Sequence, residues 1–284
     1  MSTLSKIGAV CEVGIVTFAV VPFVTLGVYW LFPHFEKWQT DVLGFPFPVF
    51  GQVVMMCVVL LAVIARRKEP AEYGLKFDHS AFQLGVAGAC FIPFVLASMP
   101  LGLGVDHKSW GGALVLAVVQ IGLLFVLALL LRRDSISSPR VVAGGGTVIL
   151  VLLAGIVAIS GVPAGRAVAL FLAYAFFVGL GEEMLYRGYL QSRLNEAFGR
   201  PFSFFGVPFG WGAIITAVLF GFTHVGILSW ALGLTSEVTL AWGFWTIFSG
   251  LVFGFVREKS GGIVAPTLLH GLPQAIASVA LLAL

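Results

Sequence analysis

The sequence Gly-Glu-Glu-Met-Leu-Tyr-Arg at positions 181–187 places two adjacent carboxylates and a guanidinium near the end of a long apolar run. Ionisable side chains inside a membrane are costly and rare, so they mark candidate functional sites. On an α-helix, Arg187 lies one turn after Glu183 and on the same face, whereas Glu182 points to a neighbouring face. We therefore expect a structural ion pair between Glu183 and Arg187, which leaves Glu182 for chemistry.

Two of the five histidines also fall inside apolar runs and could act with Glu182. His224 closes the sequence Phe-Gly-Phe-Thr-His, and His270 is followed one helical turn later by Gln274. Alone, each histidine could simply join helices by hydrogen bonding, which membrane bundles use routinely. Apart from Glu12, however, the ionisable residues inside apolar runs all lie in the last third of the chain or so. This clustering favours one shared site.

The composition excludes a soluble globular domain. Hydrophobic residues make up 59% of the chain and charged residues 10%, whereas about 25% of a soluble domain is charged. Long apolar runs, in place of short alternating segments, favour helices over a β-barrel. The sequence therefore predicts an all-α polytopic transmembrane helical bundle. The three cysteines lack a CxxC spacing and are interpreted as small core hydrophobes.

About eight or nine transmembrane spans are predicted, since a span needs about 20 apolar residues. The nine apolar runs are Ile7–Phe32, Phe45–Ala65, Ala81–Gly104, Trp110–Leu131, Val141–Val162, Ala167–Arg187, Pro208–Leu228, Val238–Val256 and Gly262–Leu284. With the N-terminus inside, only Lys37, Lys108 and Arg166 among the basic residues lie outside. The positive-inside rule thus predicts a cytoplasmic N-terminus. The protein would be a multi-pass integral membrane protein, in the inner membrane if it is bacterial.

The depths of the candidate residues depend on where the sixth and seventh helices end. The sixth is expected to continue beyond Arg187 and to end at Gly199-Arg200-Pro201, before an interfacial loop at Pro201–Pro208. At 1.5 Å per residue, Glu182 and His270 can share an inner half-membrane cavity. His224 reaches the same depth if the seventh helix continues through Ser229–Leu234, and we expect that it does.

Three motifs in this region resemble those of the CAAX-protease and bacteriocin-processing family of intramembrane proteases, which includes the Ras-converting enzyme. GEEMLYRG matches the family's EExxxR motif, and FGFTH matches its FxxxH. The run Gly262–Gln274 resembles the third motif, an Ala-Pro lead-in followed by HxxxN, with Gln in place of Asn. Gln offers the same amide one methylene further out. The resemblance covers about 167–284, leaving 1–166 as N-terminal transmembrane spans of unknown role.

The resemblance implies an intramembrane endopeptidase that cuts near the C-terminus of a peptide or of a protein, prenylated or unmodified. The implied site consists of Glu182, His224, His270 and Gln274, with Glu183 and Arg187 in support. In a glutamate mechanism without cofactor, Glu182 and His224 deprotonate a water while His270 and Gln274 stabilise the oxyanion. Alternatively, Glu182, His224 and His270 hold a zinc ion that activates the water. Because the chain lacks an HExxH motif, the metal-free mechanism is favoured.

Two other functions are compatible with the sequence. Intramembrane Glu, Arg and His residues also mark ion and proton pathways, and Pro-interrupted spans are typical of transporters. A catalytically silent scaffold would tolerate Gln274 in place of Asn. For the protease, the expected partners are a C-terminal peptide substrate, with or without a lipid, and the bilayer, but no nucleic acid.

Overall fold

The computed structural model describes residues 2–43, 49–76, 79–132, 151, 154, 155, 157–159, 161–226 and 237–281. Within these ranges the chain is almost entirely helical, which agrees with the predicted all-α class. The described helices are α1 (Thr3–Leu31), α2 (Pro33–Leu43), α3 (Val49–Ala65), α4 (Ser80–Gly102), α5 (Trp110–Leu130), α6 (Ala164–Phe198), α7 (Trp211–His224), α8 (Leu240–Ser260) and α9 (Val264–Leu281). A two-stranded hairpin, β1 (Phe202–Phe204) and β2 (Val207–Phe209), precedes α7.

Five of the described helices are long and apolar enough to cross a membrane, namely α1, α4, α5, α6 and α8. Helices α3 and α7 are apolar but shorter. The chain is therefore an integral membrane protein, as expected. The count of eight to nine spans and the cytoplasmic N-terminus stay predictions, and most of the expected span Val141–Val162 lies outside the described residues.

The connector after the first run contains a helix of its own, α2, which begins at Pro33 because proline is favoured in the first helical turn. Two local expectations need correction. Pro208 lies in strand β2 and not at the start of a span. The expected loop at Pro201–Pro208 is part of a hairpin whose turn residues, Phe205 and Gly206, both have positive φ, of 49° and 84°. Two-residue hairpin turns require that backbone conformation.

The seventh helix ends earlier than expected. Helix α7 has 14 residues and stops at His224, so it is about 21 Å long and shorter than the hydrocarbon layer of about 30 Å. Gly226 has a φ of 78°, which breaks the helix. The expected continuation through Ser229–Leu234 lies outside the described residues. The depth of His224 in the membrane stays a prediction.

Helix α6 is the centre of the fold and carries the two glutamates. It contacts α1, α3, α7, α8 and α9. Its helical turns are widened to π geometry over Ala173–Val178 and again over Met184–Leu190, on either side of the α-helical segment Gly179–Glu183. Such π turns are rare and occur frequently at functional sites. The helix ends at Phe198, and Gly199 has a φ of 72°, so the predicted break is confirmed.

Basic and acidic residues join the helices at one end of the bundle. Glu12 of α1 forms ion pairs with Arg66 at 2.9 Å and with Arg193 of α6 at 2.8 Å. Arg66 also pairs with Glu196 at 3.1 Å. Both arginines lie in segments that the sequence assigns to the inner side. The network ties the N-terminal helix to α6, about 16 Å along that helix from Glu182.

Small residues let α6 and α9 approach closely at the level of the glutamates. A methyl group added at Gly179 would lie 2.9 Å from the carbonyl oxygen of Thr267 and 3.0 Å from the Cα of Gly271. Membrane helices use such glycines to bring their backbones together. The contact fixes the position of His270 relative to Glu182.

We expect Gly179→Ala to lower the free energy of unfolding by about 1–3 kcal/mol, since the added methyl meets backbone atoms that cannot turn away. Gly122→Ala in α5 is the matched control, because its added methyl meets nothing within 4 Å. Thermal unfolding in detergent measures both variants. Equal melting temperatures would contradict the close-packing argument.

Candidate active site

The predicted ion pair between Glu183 and Arg187 is present and fully buried. Arg187 Nη1 lies 3.0 Å from Glu183 Oε1, and the two side chains are 1% and 0% exposed. Arg187 also donates a hydrogen bond to the carbonyl oxygen of Gly250 in α8, at 3.3 Å. A buried charge without a partner is strongly destabilising, so these contacts are required for the two side chains to stay inside the bundle.

Aromatic rings enclose the Arg187 guanidinium on two sides. Its central carbon lies 4.6 Å from the ring centre of Phe220 in α7 and 5.1 Å from that of Phe253 in α8. Cations are attracted to the faces of aromatic rings, most strongly where water is excluded. Arg187 therefore links α6 to α7 and α8 at one point.

Glu183 also holds His270 of α9. The Nδ1 of His270 donates a hydrogen bond of 2.9 Å to Glu183 Oε1, because a carboxylate can only accept. The imidazole stacks on Phe253, with ring centres 4.7 Å apart. A hydrogen bond at one ring nitrogen fixes the orientation and the role of the other. The second nitrogen, Nε2, lies 3.8 Å from Glu182 Oε2.

Glu182 is the more accessible of the two glutamates. Its side chain is 14% exposed, compared with 0% for Glu183. Oε1 accepts a hydrogen bond of 3.3 Å from Gln52 Nε2. Oε2, which faces His270, has no hydrogen-bond donor among the described residues. A buried carboxylate oxygen of this kind is a suitable acceptor for a bound water.

His224 lies on the other side of Phe220. Its Nδ1 donates a hydrogen bond of 2.8 Å to the carbonyl oxygen of Phe220, so a neutral His224 keeps a lone pair on Nε2. Phe220 packs against His224 at 4.4 Å and against His270 at 6.0 Å between ring centres. His224 is also within electrostatic range of Glu182 and His270. The two histidines therefore flank one phenylalanine beside Glu182.

Gln274 is not brought into this group. Its side chain is exposed, and in the described part of the chain it makes no hydrogen bond to Glu182, His224 or His270. The buried face of α9 continues from His270 through Gly271 to Ala275, and a methyl at Gly271 would lie 2.6 Å from the carbonyl oxygen of Ala175. Gln274 is thus exposed although it lies one helical turn after His270.

The alternative zinc site consists of Glu182, His224 and His270. Among the described residues, no three His, Cys, Asp or Glu side chains converge closely enough to hold a metal ion. Nδ1 of each histidine is engaged, by Glu183 in one case and by the Phe220 carbonyl in the other, so Nε2 is the nitrogen with which either could bind a metal. The zinc alternative stays a prediction.

The sequence did not reveal several residues that shape this group. Gln52 contacts Glu182 from α3, and its only sequence signal was an amide inside an apolar run. Tyr186, inside the first motif, donates a hydrogen bond of 2.8 Å to Thr223, whose hydroxyl in turn donates to the Phe220 carbonyl. Phe253 gave no signal, because it is one apolar residue among many.

A protein family model matches the part of the chain that contains these residues. Residues 164–276 match the family model described as type II CAAX prenyl endopeptidase Rce1-like. We call this segment, which is about two fifths of the chain and similar to that family, the Rce1-like segment. The segment contains every site residue that the family resemblance implied. The match supports the classification of the protein as a membrane hydrolase, namely a protease of CAAX type. The Rce1-like segment begins at the first residue of α6 and excludes α1 to α5.

Two further comparisons returned nothing, since the chain matches none of the curated proteins and none of the solved structures with which it was compared.

Replacing Arg187 with Met is expected to lower the free energy of unfolding by about 3–5 kcal/mol, because it leaves the Glu183 carboxylate buried without its partner. The double variant Arg187→Met, Glu183→Gln should recover part of that loss, since it removes both charges. Denaturant unfolding in detergent measures the three proteins.

Lys68→Met is the control for this prediction. Lys68 pairs with Glu72 at 2.9 Å and with Glu196 at 3.6 Å, but the three side chains are 33%, 49% and 35% exposed, and such solvent-accessible pairs contribute little. A double variant no more stable than Arg187→Met alone would contradict the assignment of Glu183 as the charge partner.

Proposed function

We propose that the protein is an intramembrane endopeptidase of CAAX type in which Glu182 activates the attacking water. The proposal rests on the different environments of the two adjacent glutamates within one buried group. Glu183 is neutralised by Arg187 and orients His270, whereas Glu182 presents an accessible carboxylate 3.8 Å from His270 Nε2. Environments that separate two carboxylates in this way are typical of acid–base catalysis.

In the first step, Glu182 Oε2 accepts a proton from a water molecule. His224 Nε2 accepts the second hydrogen bond from the same water and so orients it. The resulting hydroxide attacks the carbonyl carbon of the peptide bond, and the carbonyl oxygen becomes an oxyanion. Glu182 then transfers its proton to the amide nitrogen, the carbon–nitrogen bond breaks, and a carboxylate and an amine leave.

The oxyanion requires hydrogen-bond donors, and His270 is the candidate supported by the geometry. Its Nδ1 already donates to Glu183, so Nε2 can donate only when the ring carries both protons. The Glu182 carboxylate lies 3.8 Å from this nitrogen. Gln274 stays a second candidate donor, which depends on a rotation of its exposed side chain toward His270.

The proposed substrate is a peptide bond near the C-terminus of a peptide or a protein. The family description supports a CaaX-type substrate, and the apolar outer surface of the helices offers a partner for a prenyl chain or for a bare apolar segment. Neither requirement follows from the described residues. Cleavage assays with a farnesylated CaaX peptide and with an unmodified peptide library distinguish a requirement for a prenyl chain from a requirement for a bare apolar segment.

The decisive variant is Glu182→Gln, which keeps the size of the side chain and removes the base. We expect it to lower kcat/KM by about 10²- to 10⁴-fold, since that is the usual contribution of a general base. Purified protein in detergent, incubated with the farnesylated peptide and with the library, gives the measurement by mass spectrometry. Glu72→Gln is the control, because Glu72 is exposed and pairs with Lys68.

Adding a chelator distinguishes the glutamate mechanism from the zinc mechanism. EDTA should leave the cleavage rate unchanged in the glutamate mechanism, whereas loss of cleavage and rescue by zinc would assign Glu182, His224 and His270 to a metal. If the wild type cleaves neither substrate, ion-driven uptake into proteoliposomes tests the transporter alternative, and its absence favours a scaffold.

A further inference from the structure

Gln52 is a buried amide in a helix that lies outside the Rce1-like segment. It belongs to α3, where it is 3% exposed among apolar neighbours. Burying an amide without a hydrogen-bond partner is unfavourable, so its retention in an apolar helix calls for a partner. That partner is Glu182, whose Oε1 accepts a hydrogen bond of 3.3 Å from Gln52 Nε2.

The contact divides the two oxygens of Glu182 between two neighbours. Oε1 is held by Gln52, while Oε2 points toward His270 Nε2 at 3.8 Å. A carboxylate bound at one oxygen cannot rotate freely about its last bond. The side chain therefore presents the same oxygen to the reacting water in each turnover, which is the kind of alignment on which proton transfer depends.

The backbone next to Glu182 is shaped to admit Gln52. A methyl group at Gly181 would lie 2.7 Å from Gln52 Oε1 and 3.1 Å from the Gln52 carbonyl oxygen. Only glycine leaves room for α3 at this point. Gly181 immediately precedes the two glutamates, so the first motif begins with the residue that lets α3 approach.

We propose that Gln52 is a positioning residue for Glu182, and that α3 thereby completes a site whose other members lie in residues 182–270. The inference rests on the proposed function of Glu182 as the base. It gives one of the N-terminal helices a defined role, in which α3 orients the carboxylate while the Rce1-like segment supplies the reacting groups.

The test replaces Gln52 with Met, which keeps the length of the side chain and removes the donor. We expect kcat to fall about 10- to 100-fold with KM nearly unchanged, because orientation of the base is lost while substrate binding is not. Gln52→Asn, whose amide is one methylene shorter, should lower kcat by a similar factor. This variant replaces Gln52→Met in the test if the Met variant does not fold. Gln120→Met is the matched control, since Gln120 is a buried glutamine of α5, which packs against α4 and α8.

A spectroscopic measurement makes the result independent of turnover. The infrared difference between wild type and Glu182→Gln isolates the carboxylate bands of Glu182. Those bands should shift in Gln52→Met and stay in place in Gln120→Met, which a purely structural role of Gln52 would not produce.

The outcomes distinguish the two proposals. If Glu182→Gln abolishes cleavage but Gln52→Met keeps the wild-type kcat and the carboxylate bands do not move, the positioning role is wrong and the proposed function stands. If Glu182→Gln still cleaves, the proposed function fails, and the role of Gln52 in catalysis fails with it. A lowered kcat with shifted bands supports the inference.

Discussion

Neutralisation of Glu183 inside an apolar interior is the interaction on which the rest of the structure depends. Two adjacent carboxylates cannot both be buried as unpaired charges. Arg187 cancels one of them, and its guanidinium lies between Phe220 and Phe253, which belong to two different apolar clusters of the bundle. The same carboxylate orients His270. One charge pair thus joins the packing of the helices to the geometry of the candidate site, and Glu182 is left without a cationic partner such as Glu183 has in Arg187.

The helices outside the Rce1-like segment are part of this arrangement. Helix α1 binds α6 through the ion pairs of Glu12, and α3 contacts it at Gly181. The π turns of α6 lie on either side of Glu182 and Glu183. Widened turns change the direction of every side chain that follows. The C-terminal end of α6 can therefore face α1 while its middle faces α9, which carries His270.

Much of the fold and part of the site could be predicted from the sequence, for local reasons. Long apolar runs indicated the helices, and the spacing of Glu183 and Arg187 indicated their pairing, because both depend on residues close together in the chain. The interaction of Gln52 with Glu182 depends on tertiary packing of α3 against α6, which no local pattern encodes. Gln274 follows His270 by one helical turn, as periodicity indicates, but its side chain is exposed, and exposure depends on tertiary packing that periodicity does not encode. The early end of α7 followed from Gly226, whose positive φ is not visible in an apolar sequence.

A helix that stops inside the hydrocarbon layer has a consequence for hydration. The last turn of α7 leaves backbone carbonyls without helical partners. The Phe222 carbonyl accepts from the backbone N–H of Val225, and the Val225 carbonyl just beyond the helix accepts from the backbone N–H of Thr239. Irregular backbone at this depth is tolerated only where protein buries it or where it lines an aqueous cavity, and Phe222 and Thr223 are exposed there. The broken end of α7 therefore needs either protein or water around it, and His224 is the last residue of that helix.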